Sequence, residues 1–322
     1  MIFNKKMILN TFITTFFLTC LLAVPGVAIS QDFAAILVVH GSNDPNWNRQ
    51  VEDFYRDVAA EEPSLRKLAF LYFGDENRKL ENVVEDLKGS NVKEFLFVHL
   101  SPSSHSIRHR EIKTRVSPLL EPPLQYKISP ALDDHRLAIE ILKQQAGQLS
   151  VNPGTESLIL VGYGPIEESE NDAWENQLNY IGERIKQELN FRDIVCMNLR
   201  YHAWDKKRAK AIKRLRQVIR PLINNGRVIV VPYVLCDGNF DKDSFQKDLQ
   251  DYLRGVDRQN RGNMKIGNKG FISHPNTKQW VKEFIRLGMS QPEGVISLGI
   301  AQPEIVPVNS PWSAMDALKK VP

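Results

Sequence analysis

The sequence predicts an α/β chain with doubly wound parallel sheets, laid out as two tandem copies of one fold. Three observations carry this. Short continuous apolar runs alternate with helical periodicities, the pattern of βαβ units. The pattern then restarts after a linker at residues 151–155 (VNPGT). Finally, the runs of the two halves align: residues 35–41 (AILVVHG) with 158–164 (LILVGYG), and 95–100 (FLFVHL) with 228–233 (VIVVPY). Internal duplication explains such matched spacing better than chance.

The elements follow in order. Residues 34–39 are uninterrupted apolar, as in a strand covered on both faces, and end at His40-Gly41-Ser42. Val51, Phe54, Tyr55 and Val58 recur at helical spacing within 48–60. A second strand is expected at 68–73, a helix at 80–87 stopped near Gly89, and a third strand at 94–100. The loop 101–104 (SPSS) leads into a helix from His105 onward. A short fourth strand at 125–129 and a helix at 137–149 close the first half. The second half is read as strand 157–161, helix 172–189, strand 193–199 and a basic amphipathic helix at 206–222. Asn225-Gly226 is a turn, followed by strand 228–235, helix 241–253, a polar loop at 257–268 and helix 275–287.

The ends differ from the rest. Lys5 and Lys6 precede an apolar stretch, and small residues stand at 28 and 30, the −3 and −1 positions of a cleavage site. Residues 1–30 are therefore expected to be a secretory signal peptide, the chain being periplasmic or extracellular after cleavage; the alternative is an uncleaved membrane anchor. The proline-rich segment 291–322 is expected to be a tail. This leaves units at 31–150 and 151–290. A formal net charge of +4 is too mild to argue for nucleic acid, and no nucleic-acid-binding motif is present. Cys196 and Cys236 remain in the mature chain. An oxidising compartment permits a disulfide, while their apolar surroundings favour buried thiols.

Ligands of open α/β sheets bind beyond the carboxyl ends of the strands. His40 closes the first strand, and His105 lies just after the third, behind the 101–104 loop. On neighbouring strands the two imidazoles would share one crevice, a donor pair suited to divalent Co, Fe, Ni or Zn. His99, inside a strand, reads as a satisfied buried residue. His109, one turn beyond His105, reads equally as a third ligand or as part of an exposed helix face. Asp133 and Asp134 read as helix caps.

Residues 38–45 (VVHGSNDP) resemble the "HGSxDP" signature of the class II chelatases, the sirohydrochlorin cobaltochelatase and ferrochelatase family. The Ser103-Ser104-His105 loop is similar to the one holding that family's second metal histidine. The resemblance implies tandem chelatase-like, flavodoxin-like domains with parallel four-stranded sheets. It implies His40 and His105 as the metal-binding and catalytic pair of a lyase. That lyase would insert a divalent metal into a sirohydrochlorin-type tetrapyrrole without a nucleotide, and the tandem units would mimic a dimer within a monomer. Arg108, Arg110 and Lys113 are candidates for binding the substrate's carboxylates, the alternative being a solvated basic helix. The chain departs from the family pattern at Tyr72, where a glutamate is common; Asp75 and Glu76 are candidate substitutes. It departs again at Tyr163 and at 237–240 (DGNF), which lack histidine, so the second half is expected to have lost metal chemistry. A non-catalytic metal or tetrapyrrole carrier is the competing reading, favoured by the missing glutamate and the export signal.

Overall fold

The computed structural model describes residues 32–201, 205–238, 245–259 and 262–290. The expected signal peptide and tail lie outside the described residues. No helix among the described residues is long and apolar enough to cross a membrane.

The first half runs β1 (Phe33–Val39), α1 (Pro45–Glu61), β2 (Leu65–Phe70), α2 (Leu80–Gly89), β3 (Glu94–His99), α3 (Ile107–Val116), β4 (Gln125–Ile128) and α4 (Arg136–Leu149). The second runs β5 (Ser157–Gly162), α5 (Glu168–Leu189), β6 (Asp193–Asn198), α6 (Asp205–Asn224), β7 (Val228–Tyr233), α7 (Phe245–Gln259), β8 (Met264–Ile266) and α8 (Pro275–Ser290). Both sheets are four-stranded and wholly parallel, in the orders β2-β1-β3-β4 and β6-β5-β7-β8. Their registers agree with the sequence alignment. Ile36 pairs with Phe97 and Val38 with His99; Ile159 pairs with Val230 and Val161 with Pro232. The α/β architecture of paired parallel sheets is thus as expected.

Two boundaries differ from the sequence reading. The second strand ends at Phe70, because Leu71 and Tyr72 turn along the end of β1 to bond Val39 O and His40 O. The polar stretch at 257–268 contains β8, which continues the sheet beside β7. Three residues are too few to show a period, and only the neighbouring strand's unpaired edge specifies them.

Strand alternation builds three cores. Ala35, Leu37 and Val39 face one cluster, while Ala34, Ile36 and Val38 face another. Leu158 and Leu160 share the cluster of Ala35, whereas Ile159 and Val161 face a third. The two sheets therefore enclose one common core, filled by α1, α4, α5 and α8. Helices α2 and α3 cover the outer face of the first sheet, and α6 and α7 that of the second. The terminal helix of each half crosses over: α4 packs on β7, and α8 packs on β3. Trp280, Val281, Phe284 and Ile285 of α8 are fully buried in that shared core. At roughly 1.5–3 kcal/mol for each large apolar side chain, their burial is comparable to the net stability of a whole domain. The halves are not independent globules. Lys278 pairs with Asp57 at 2.8 Å and also with Glu61, and Lys282 reaches Glu61 at 2.8 Å, registering α8 against α1. Cys196 and Cys236 are free, buried thiols.

Candidate functional site

His40 is the first residue beyond β1. Gly41 then turns the chain at φ +81°, where a Cβ would stand 1.8 Å from Phe73 O, so no other residue fits. Asn48 locks the following loop from both sides: it accepts from Ser42 N at 2.9 Å and donates to Ser42 O at 2.7 Å. Ser42 Oγ accepts from Asp44 N, and Asp44 caps α1 with Pro45 in its first turn. Each signature residue after the histidine thus holds the strand-to-helix turn. His40 Nδ1 contacts the carbonyl of Gly41. A carbonyl can only accept, so Nδ1 carries the hydrogen and Nε2 the lone pair.

His105 stands in the loop between β3 and α3, next to β1 in the same sheet. Its own N–H donates to Ser103 Oγ at 3.2 Å. Asp133 fixes the loop, accepting from Ser104 N at 2.9 and 3.0 Å and from Ser104 Oγ at 3.3 Å. Tyr233, at the end of β7, donates to Pro102 O at 2.5 Å. The loop is therefore pinned by both halves. Asp133 is not the expected helix cap; His135 caps α4, its Nδ1 accepting from Leu137 N at 3.3 Å. Asp134's side chain lies outside the described residues.

Tyr72, in the place of the family glutamate, packs beside His40 with ring centres 5.4 Å apart, and Phe73 lies at 5.6 Å. The Tyr72 hydroxyl bonds the Glu111 carboxylate. Arg108 stacks over the Tyr72 ring at 4.1 Å and donates to both Glu111 oxygens, at 3.0 and 2.9 Å. The Tyr72 and Arg108 bonds hold the Glu111 carboxyl below its usual range despite its partial burial. Sequence reasoning missed Glu111, because only the fold brings α3 to Tyr72. Asp75 and Glu76 serve their own turn: Asp75 caps it, and Glu76 pairs with Lys79 at 2.6 Å. Arg110 pairs with Glu170 of the second half, and Lys113 is exposed. The three basic candidates therefore point to different surroundings, two of them already facing carboxylates.

His109 is half-buried and faces inward. Its Nδ1 lies 2.9 Å from Nδ1 of the buried His99, with ring centres 5.2 Å apart. The nitrogen contact plus one ring radius on each side accounts for that separation, so the bond lies in line with both rings. Burial pushes both pKa values below the ordinary histidine range, and His109 and then His40 add to the effect at His99.

The matching place in the second half is filled by rings. Tyr163 contacts Phe245 at 4.4 Å and Tyr201 at 5.1 Å between centres. Tyr201 donates to Asp248 at 2.7 Å, and Arg208 stacks over its ring at 4.3 Å. Among the described residues, packed aromatics occupy that place; residues 202–204 and 239–244 lie outside the described residues. Among the described residues, no three histidines, cysteines or carboxylates stand at metal-holding spacing.

Residues 34–149 match the CbiX family model. The sirohydrochlorin chelatase SirB from Bacillus subtilis subspecies spizizenii, solved with cobalt, is similar at 14% identity and a TM-score of 0.59, over 81% of this chain and 97% of that one. SirB from Bacillus subtilis with Fe3+ is similar at 14% identity and a TM-score of 0.60, over 80% and 96%. A multi-domain Deinococcus radiodurans protein with structural similarity to chelatases matches at 13% identity and a TM-score of 0.51, over 79% of this chain and 55% of that one. At these identities the likeness is one of fold. No curated protein matches by sequence.

Proposed function

We propose that the chain is a lyase of the class II chelatase type, inserting Co²⁺ or Fe²⁺ into a sirohydrochlorin-type tetrapyrrole, a reading supported by the match of residues 34–149 to the CbiX family model. The observation that carries this is the pair His40 and His105. They stand at the ends of one sheet, on turns whose serines, Asn48 and Asp133 serve to hold them. In this reading His40 Nε2 and His105 hold the metal as a substrate, with the remaining positions open to water and then to pyrrole nitrogens. Neutral imidazole binds such ions well enough to collect them, and two ligands let them go. Tyr72 and Phe73, about two-fifths exposed beside His40, offer ring faces to a flat macrocycle. Arg108 and Arg110 would exchange their carboxylate partners for those of the substrate. Partly exposed pairs of this kind are worth only about 0–1 kcal/mol, so the exchange costs little. The N-terminal apolar segment supports placing this activity outside the cytoplasm.

A second reading is a carrier that binds metal or tetrapyrrole without joining them. Tyr72 in the place of a carboxylate favours it, since a ligand and proton acceptor is then missing. One assay separates the two: the purified mature protein is mixed with sirohydrochlorin and Co²⁺, Fe²⁺ or Ni²⁺, and its absorption spectrum is followed. Conversion to the metallated spectrum faster than without protein supports the chelatase. A shift on binding with no acceleration supports the carrier.

A further inference from the structure

The His99–His109 bond joins the two ends of the segment that carries His105, and a pair of polar rings is a costly way to fill a core position. We propose that His99 and His109 form a proton relay that carries a pyrrole proton away from the metal site. The inference rests on the chelatase reading. Three observations support it. The bond is in line, at 2.9 Å, so a hydrogen passes between the rings without either turning. The pair spans from the end of β3, the sheet neighbour of the strand that His40 closes, where His99 pairs with Val38, to the partly exposed first turn of α3. Both rings are held neutral by burial, so together they present one N–H, one lone pair and the shared hydrogen between them.

The step balances without a redox partner. Each pyrrole N–H bond breaks with its electron pair left on nitrogen, which binds the metal. The proton joins the free lone pair at one end of the histidine pair. The shared hydrogen crosses from one Nδ1 to the other, and the N–H at the far end releases its proton to water. The passage leaves the N–H at the entry end and the lone pair at the exit, so the pair removes one of the two protons that a divalent ion displaces, and the other passes directly to water in the open crevice. The relay is distinct from the ligands: His40 and His105 hold the ion, while His99 and His109 dispose of one proton it replaces.

Wild type, His109→Asn and His99→Asn are compared for Co²⁺ affinity, for Co²⁺ insertion into sirohydrochlorin with and without added imidazole, and for thermal unfolding. In the metal-free wild type, ¹⁵N-labelled imidazoles report the bond directly. The expected results are a coupling between the two Nδ1 atoms, unchanged Co²⁺ affinity, and insertion by His109→Asn slowed by at least about tenfold and restored by imidazole. His109, at the partly exposed end, tests the relay even if His99→Asn fails to fold. Absence of the coupling overturns the inference. So does insertion by His109→Asn at the wild-type rate, or a slowing that follows lost metal affinity and resists imidazole. A wild type that inserts no metal overturns the chelatase reading itself, and this inference with it, before any variant is compared.

Discussion

Tyr233 of the second sheet donates its hydroxyl to the carbonyl of Pro102 in the first, 2.5 Å away. Pro102 lies three residues before His105, so the second half holds the turn from which a candidate metal ligand projects. This gives the second half a part in the site. Tyr233→Phe should keep the fold, since the ring stays packed on Phe271 at 5.0 Å. Losing one such bond costs about 0.5–1.5 kcal/mol. Co²⁺ affinity, measured by titration, should fall between about twofold and tenfold.

Asp133 should matter more. It accepts from both the amide and the hydroxyl of Ser104. Asp133→Ala leaves that amide unpaired, at a cost of roughly 1–3 kcal/mol. Urea unfolding should show a loss of that size, and Co²⁺ affinity should fall with it. Asp133→Asn, which can still accept, should recover most of both.

Stability should fall on mild acidification. Burial holds His99, His109 and His135 below the ordinary histidine value of 6.5. The unfolded chain therefore binds protons first as pH drops through 6.5. Their contribution is fully present above that value and is lost as pH falls toward the depressed folded values. Urea unfolding at pH 7.5 and 5.5 should show the protein less stable at the lower pH. Equal stability at both would mean that the three rings are protonated in the folded protein.

Neither half should fold alone. Helices α4 and α8 each cover the other half's sheet. Residues 31–150 expressed separately should lack cooperative unfolding, and adding residues 151–290 should restore it.

Much of the fold was legible because each apolar strand run is long enough to read, from Ala34 to Val39 and from Leu158 to Val161. His40 and His105 were legible because a strand's end is a local feature. The remainder depends on which elements meet. Nothing local to Asp133 tells a loop clamp from a helix cap, and β8 exists only because β7 offers an edge. The Tyr72–Glu111 and His99–His109 contacts form only once α3 lies against the strand ends. The expectation for Tyr163 was drawn from a missing histidine alone; the structure adds that Phe245 and Tyr201 fill the space. Tyr163→Phe should accordingly leave Co²⁺ affinity unchanged within about threefold, under ~0.7 kcal/mol.

The most direct test of the metal site is a Co²⁺ titration of the mature wild type against the His40→Ala, His105→Ala double variant. Both substituted side chains lie on turns outside the cores, so the variant should unfold at a similar temperature. One ion per wild-type chain, with its binding lost in the folded double variant, is the predicted result. Equal stoichiometry and affinity in the two proteins would contradict it.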